Sequence, residues 1–229
     1  TCIQDLCFMY SNITSISSLE TYSLPNLQKL CLCGNNIGRE GCIIISNLLQ
    51  NEGSTLTDLQ LSFTGMGYEE AEILANSLKH NTKLNGLSFK NNITERGYKV
   101  FLKLVIDVSS IESTYNSNNT ISSCHLGNAL NRTRAGTFII RHINSAVKLN
   151  ELHQNSHAVG RAKVIEYQLN SQKRKVLCQL QGIDFSYSNI FADIDPILLP
   201  NIIALIGDRH GQSELYTALI PTAPDLLSY

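Results

Sequence analysis

The stretch Leu27-Gln28-Lys29-Leu30-Cys31-Leu32-Cys33-Gly34-Asn35-Asn36-Ile37 decides the reading of this chain, because its apolar residues Leu27, Leu30, Leu32 and Ile37 stand at offsets that recur. The same phrase returns as Leu56, Leu59, Leu61, Thr64 and Met66. It returns again as Leu84, Leu87, Phe89, Asn91 or Asn92, and Ile93, this time one residue shorter. The starts lie 29 and then 28 residues apart. Self-similarity at that period marks a repeat architecture, in which a single coil cannot bury its apolar face alone and must stack on its neighbours.

Within each copy, Leu30 to Leu32, Leu59 to Leu61 and Leu87 to Phe89 place apolar side chains at every second position, which predicts short strands with one buried face. Helical spacing follows each strand. It runs through Cys42, Ile45 and Leu49, then Ala71, Leu74 and Leu78, then Val100, Phe101, Leu104 and Val105. A helix is about 10 Å wide and strands stack about 4.8 Å apart, so strands on one side and helices on the other bend the stack into a horseshoe. Asn35, and Asn91 or Asn92, fall where the strands end, and an amide there can satisfy backbone groups that the turn leaves open. Thr64 does part of that work, which predicts a weaker second turn. Gly38 and Gly67 ease the chain into the helices. Degenerate copies flank the three clear ones: Ile3, Leu6, Phe8, Ser11 and Ile13 before them, and Ile111, Thr114, Asn116, Asn119 and Ile121 after, giving five coils.

These offsets and the helical stripes resemble the leucine-rich repeat family in its long, ribonuclease-inhibitor-like form. The resemblance spans about Ile3 to Ile121. It implies an α/β repeat solenoid over residues 1–123, with parallel strands on the concave face, helices on the convex face, and protein binding as the usual activity. Side chains between the buried strand residues point to the concave face, and from these the candidate binding set is Lys29, Cys31, Asp58, Gln60, Ser62, Ser88, Lys90 and Tyr115. Tyr115 is the expected anchor, since tyrosines often dominate interfaces. The same family includes activators of small GTPases, so a regulator of that kind is an alternative function, with Arg39 and Arg96 leaving the turns at comparable places. A structural fragment of a larger receptor or scaffold is another, because the chain opens on Thr1 and not on methionine.

Residues 124–229 lose the repeat and read as a mainly helical cap. Spacing predicts helices from about Ile143 to Asn155 and from Ala158 to Leu169. Another follows Asp195-Pro196 through Ile206, and a short one runs from about Ser213 to Leu219. This half, around Ser110-Ile111-Glu112-Ser113-Thr114-Tyr115 and Leu198-Leu199-Pro200, resembles the tail that follows the repeats in a group of microalgal leucine-rich repeat proteins. That likeness brings no activity with it.

Other chemistry is weakly signalled. A formal net charge of -1 gives no pull toward nucleic acid or anionic membrane, and no apolar run approaches a bilayer span of about 20 residues. The seven cysteines are odd in number and lack a framework spacing, so reduced thiols and a soluble, intracellular (cytoplasmic) protein are expected. Four Asn-x-Ser/Thr sequons, at Asn12, Asn92, Asn118 and Asn131, match the chance level for a chain this rich in Asn, Ser and Thr. Cys7, Cys31 and Cys33 could be neighbours on adjacent strands, but a zinc site wants four ligands and no fourth is evident. His153 and His157 have the spacing of helical metal ligands, with Asn155-Ser156 set to break the helix between them. Lys173-Arg174-Lys175 reads as a solvated loop, and Asp208-Arg209-His210 as a polar turn between glycines. No P-loop, dinucleotide fingerprint or nucleophile elbow occurs. The expectation is a non-enzymatic protein binder with no catalytic residue, metal or cofactor.

Overall fold

A computed structural model describes residues 3–21, 24–90, 93–127, 134–153, 155–168 and 171–183. They form an α/β fold around one five-stranded parallel sheet, whose strands lie in sequence order: β1 (Asp5–Cys7), β2 (Lys29–Cys31), β3 (Asp58–Gln60), β4 (Gly86–Ser88) and β5 (Ser123–His125). Eight α-helices occur among the described residues: α1 (Ser18–Thr21), α2 (Gly38–Gln50), α3 (Tyr68–Leu78), α4 (Glu95–Val105), α5 (Ile111–Tyr115), α6 (Arg134–Leu152), α7 (Ser156–Lys163) and α8 (Ser171–Gln181). None is long and apolar enough to cross a membrane.

Two compact units emerge, each drawn from two segments of chain. One takes the residues up to Val105 and then Asn118–Ser156; the other takes Ile106–Ser117 and the residues from His157 onward. The sequence reading instead cuts the chain once, between 123 and 124.

In the first unit the apolar phrase is the core. Leu27, Leu30, Leu32, Ile37, Leu56, Leu59, Leu61, Met66, Leu84, Leu87, Phe89 and Ile93 are all buried. The register follows the repeat, with Leu6 beside Leu30, Leu30 beside Leu59, and Leu59 beside Leu87. Helices α2, α3, α4 and α6 pack side by side in that order. They turn Cys42, Ile45, Leu49, Ala71, Leu74, Leu78 and Phe101 inward, and Phe101 meets Phe89 at 5.2 Å between ring centroids.

The fifth strand is not where the sequence placed it. Ile111 to Tyr115 is helix α5, capped by Ser110, whose Oγ accepts from Ser113 N at 2.9 Å. The phrase reappears instead as Ile121, Cys124 and Leu126, with Cys124 in register with Leu87. A thiol stands in the place of the central leucine, and Ile121 comes 37 residues after Leu84, because Ile106–Ser117 is inserted there and joins the other unit. Helix α6, expected as part of a cap, is the helix that follows β5 and packs on α4.

Asparagines close both ends of the coils. Asn35 is 1% exposed; its Nδ2 donates to the carbonyls of Phe8 (2.5 Å) and Leu32 (2.9 Å), and its Oδ1 accepts from the N–H groups of Ser11 and Ile13, both at 3.0 Å. Thr64 Oγ1 donates to Leu61 O at 2.7 Å in the equivalent turn. Asn91 and Asn92 lie outside the described residues. A second set was not foreseen. Asn81 and Asn118, each three residues before the first apolar residue of its strand phrase, donate at 2.8 Å to Leu49 O and Leu78 O, carbonyls at the ends of α2 and α3. Their Oδ1 atoms accept from Leu84 N and Ile121 N. Asn150 then donates to Ile121 O at 2.7 Å. The bonds from Asn81 and Asn118 satisfy carbonyls that a helix end leaves without partners. Gly38 has φ 55 as α2 begins, whereas Gly67 is extended and has no need of glycine's freedom; Glu70 Oε2 accepts from its N–H at 2.8 Å.

In the second unit, two glutamines hold the inserted segment to the later helices. Gln168 Nε2 donates to Ser110 O (2.9 Å) and Thr114 Oγ1 (2.7 Å), and Gln181 Nε2 donates to Ile106 O (2.6 Å) while its Oε1 accepts from Val108 N (3.2 Å). Helix α7 runs into one π-helical segment, Val164–Gln168. The helix break at His153 is present, α6 ending at Leu152 and α7 starting at Ser156. Lys173-Arg174-Lys175 is not a solvated loop: it lies in α8, with Arg174 buried and Lys173 paired to Glu166. An amphipathic helix turns one residue of a basic run inward, which a loop reading does not anticipate. The helices expected after Asp195 and Ser213, and the Asp208-Arg209-His210 turn, lie outside the described residues.

Candidate functional site

Strand alternation sends one set of side chains away from the core, and the register arranges them in rows. The first row is Asp5, Lys29, Asp58, Gly86 and Ser123; the second is Cys7, Cys31, Gln60, Ser88 and His125. Beyond the strand ends the backbone bonds continue, from Tyr10 N to Cys33 O, Gly34 N to Ser62 O, and Phe63 N to Lys90 O, so a third row runs Met9, Cys33, Ser62 and Lys90. Seven of the eight sequence-derived candidates therefore share one face: Lys29, Cys31, Asp58, Gln60, Ser62, Ser88 and Lys90.

Tyr115 does not join them. It sits in α5, its hydroxyl bonded to His157 Nδ1 at 2.6 Å and its ring against Gly160, where a Cβ would come within 2.8 Å of Tyr115 Cδ2. Ser113 and Ser117, two residues to either side of it, belong to the same inserted segment. Ser123 and His125 take their places on the sheet, both exposed. The spacing of Ile121, Cys124 and Leu126 carries that signal, masked in the sequence by the cysteine and the insertion.

The face divides into a polar middle and a quieter edge. Lys29, Gln60 and Lys90 are exposed. Asp58 Oδ2 accepts from Thr57 Oγ1 at 2.8 Å, and its carboxylate lies over Gly86, where a Cβ would stand 2.4 Å from Asp58 Oδ1. Ser62 and Ser88 bond to each other at 2.8 Å, so their hydroxyls partly satisfy one another. Cys31 and Cys33 are buried and Cys7 is exposed, all as free thiols. Burial, with hydrogen bonds to the Cys33 and Cys7 thiols adding to it, pushes the Cys31 thiol up to about 12, so it stays protonated and is a poor nucleophile or metal ligand at neutral pH. Among the described residues no group of three or more His, Cys, Asp or Glu is placed to hold a metal ion.

Both arginines considered for a GTPase regulator are engaged within their unit. Arg39 Nη1 meets Glu69 Oε2 at 2.6 Å in an exposed pair, and the Arg96 guanidinium lies 4.0 Å from the centroid of the Tyr68 ring. A face of this kind, with mixed charge, amides and hydroxyls on a backbone held by strand pairing, can offer scattered polar contacts to a partner. No protein-family model matches the chain.

Proposed function

We propose that the chain is a non-enzymatic protein-binding module of the leucine-rich repeat type, in its ribonuclease-inhibitor-like form, that recognises a protein partner through the concave face of its strands. The observation that carries this reading is the row structure: five parallel strands in sequence order present Lys29, Asp58, Gln60, Ser88, Lys90 and His125 on one face while their alternate residues fill the core. Recognition then depends on a preformed surface. Residues held by β pairing lose little freedom on binding, and a few anchors supply most of the affinity.

The test is affinity capture from lysate with the native chain beside a Lys29→Glu, Gln60→Lys double variant whose circular dichroism is unchanged. A protein retained by the first and lost by the second supports the reading. Equal retention, or none by either chain, removes this face as the working surface.

A further inference from the structure

At matched places in three successive coils the backbone turns through positive φ: Tyr10 at 50°, Gly34 at 74° and Phe63 at 58°. Glycine adopts that conformation freely, whereas a side chain there is strained. A bulky residue in it is uncommon enough to need a reason. Burial supplies none, since Tyr10 is 69% and Phe63 52% exposed. Backbone strain at side chains left this exposed points to a role outside the core.

The surroundings say which role. Tyr10 and Phe63 stand two strand spacings apart, about 10 Å, and the Tyr10 ring lies across the intervening Gly34, where a Cβ would come within 2.2 Å of Tyr10 Cδ1. Met9, before Tyr10, is 50% exposed. On the far side Lys90 Nζ is 5.2 Å from the centroid of Phe63 and, among the described residues, forms no ion pair. Two carboxylates in the first turn of the helix that follows Phe63 are engaged elsewhere, Glu69 by Arg39 and Glu70 by the N–H of Gly67. The edge thus offers two flat apolar rings and one cation whose charge nothing described neutralises.

We propose that Tyr10, Phe63 and Lys90 form a clamp at the C-terminal edge of the sheet for a protein segment carrying an aromatic side chain beside a carboxylate. The partner's ring packs on Tyr10 and Phe63 across Gly34, and its carboxylate takes Lys90, whose ammonium is already partly shielded by the Phe63 ring. The proposal rests on the protein-binding reading and adds the anchor and the partner's chemistry.

A displayed library of random decapeptides selected on the native chain tests it, followed by titration of the enriched peptides against variants. The expected winners carry Phe, Tyr or Trp next to Asp or Glu. Tyr10→Gly and Phe63→Gly should each weaken them by about tenfold or more without lowering the melting temperature, because glycine relieves the positive φ. Lys90→Glu should lose the same peptides and regain those whose acid is changed to lysine. A library that yields no binder, or winners without the aromatic and acidic pair, overturns the proposal. So does full binding by both glycine variants, and so does a lower melting temperature in either. Peptides lost by Lys29→Glu, Gln60→Lys but indifferent to Phe63→Gly would overturn the clamp and leave the protein-binding reading standing.

Discussion

The ring of Tyr10 lies on the bare backbone of Gly34 in the next coil, with Gly34 N donating to Ser62 O at 2.9 Å and Tyr10 N donating to Cys33 O at 2.9 Å. The same relation recurs along the sheet, where Asp58 lies over Gly86 and Lys90 over Gly127. In each case a side chain of one coil occupies the space that a missing Cβ leaves in the following coil. Small residues on this face are therefore seats for their neighbours' side chains as much as gaps in the surface.

Gly34→Ala should destabilise the fold by about 1–2 kcal/mol from the left-handed backbone alone, and further by displacing the Tyr10 ring. Chemical denaturation in a double-mutant cycle separates the two costs. In a Tyr10→Ala background only the backbone cost should remain; an unchanged effect would mean that the ring does not rest on Gly34.

Asn35→Ala should cost about 3 kcal/mol, since it strips partners from backbone groups of two coils at once, the Leu32 carbonyl among them buried. Asn35→Thr should recover part of that, because Thr64 makes the corresponding bond to Leu61 O in the next coil. Equal losses for alanine and threonine would deny the side chain its bridging role.

Leu59→Ala and Leu87→Ala should each cost about 2–5 kcal/mol as buried deletions, and Ile121→Ala should behave like them. Gln60→Ala, on the exposed side of β3, should change stability by less than about 0.5 kcal/mol. A small effect at Ile121 would remove it from the core beside β5.

Stability should depend on pH through Lys163, which is fully buried and whose ammonium burial lowers from 10.5 to about 7. Between those values the unfolded chain binds a proton that the folded chain does not, so stability should rise as pH increases from about 7, by up to about 1.4 kcal/mol per pH unit. Above about pH 9 an opposing trend sets in. Burial raises the Cys42 and Cys31 thiols to about 12 from 9.0, so the unfolded chain loses those protons first and stability falls. Melting curves from pH 6 to 10 should show a maximum, and Lys163→Met should flatten its rising limb. A rising limb that survived the substitution would assign it to another group.

Three strands, their register and most of the first unit's core were legible in the sequence, because a leucine repeated at fixed offsets can be buried in only one way when strands pair in order. Asn35 was legible for a related reason: a strand end leaves backbone groups open, and an amide both donates and accepts. The fifth strand was hidden. Cys124 replaces its central leucine and Ile106–Ser117 delays it, so the period that identifies the other strands is missing there. Tyr115 was misplaced for the same reason, since the spacing of Ile111, Thr114 and Tyr115 also fits a helical turn that Ser110 caps.

By itself, then, the sequence determined the βα repeat and which strand residues face the interior, since both follow from local spacing and the need to bury apolar side chains. Only the tertiary structure decided that Asn81, Asn118 and Asn150 cap neighbouring elements, that Ile106–Ser117 leaves the sheet for the helical unit, and that Tyr10 and Phe63 stand exposed on a strained edge. Those outcomes depend on contacts between residues distant in the chain and on backbone angles set by the neighbouring coil. No local pattern of residues encodes either.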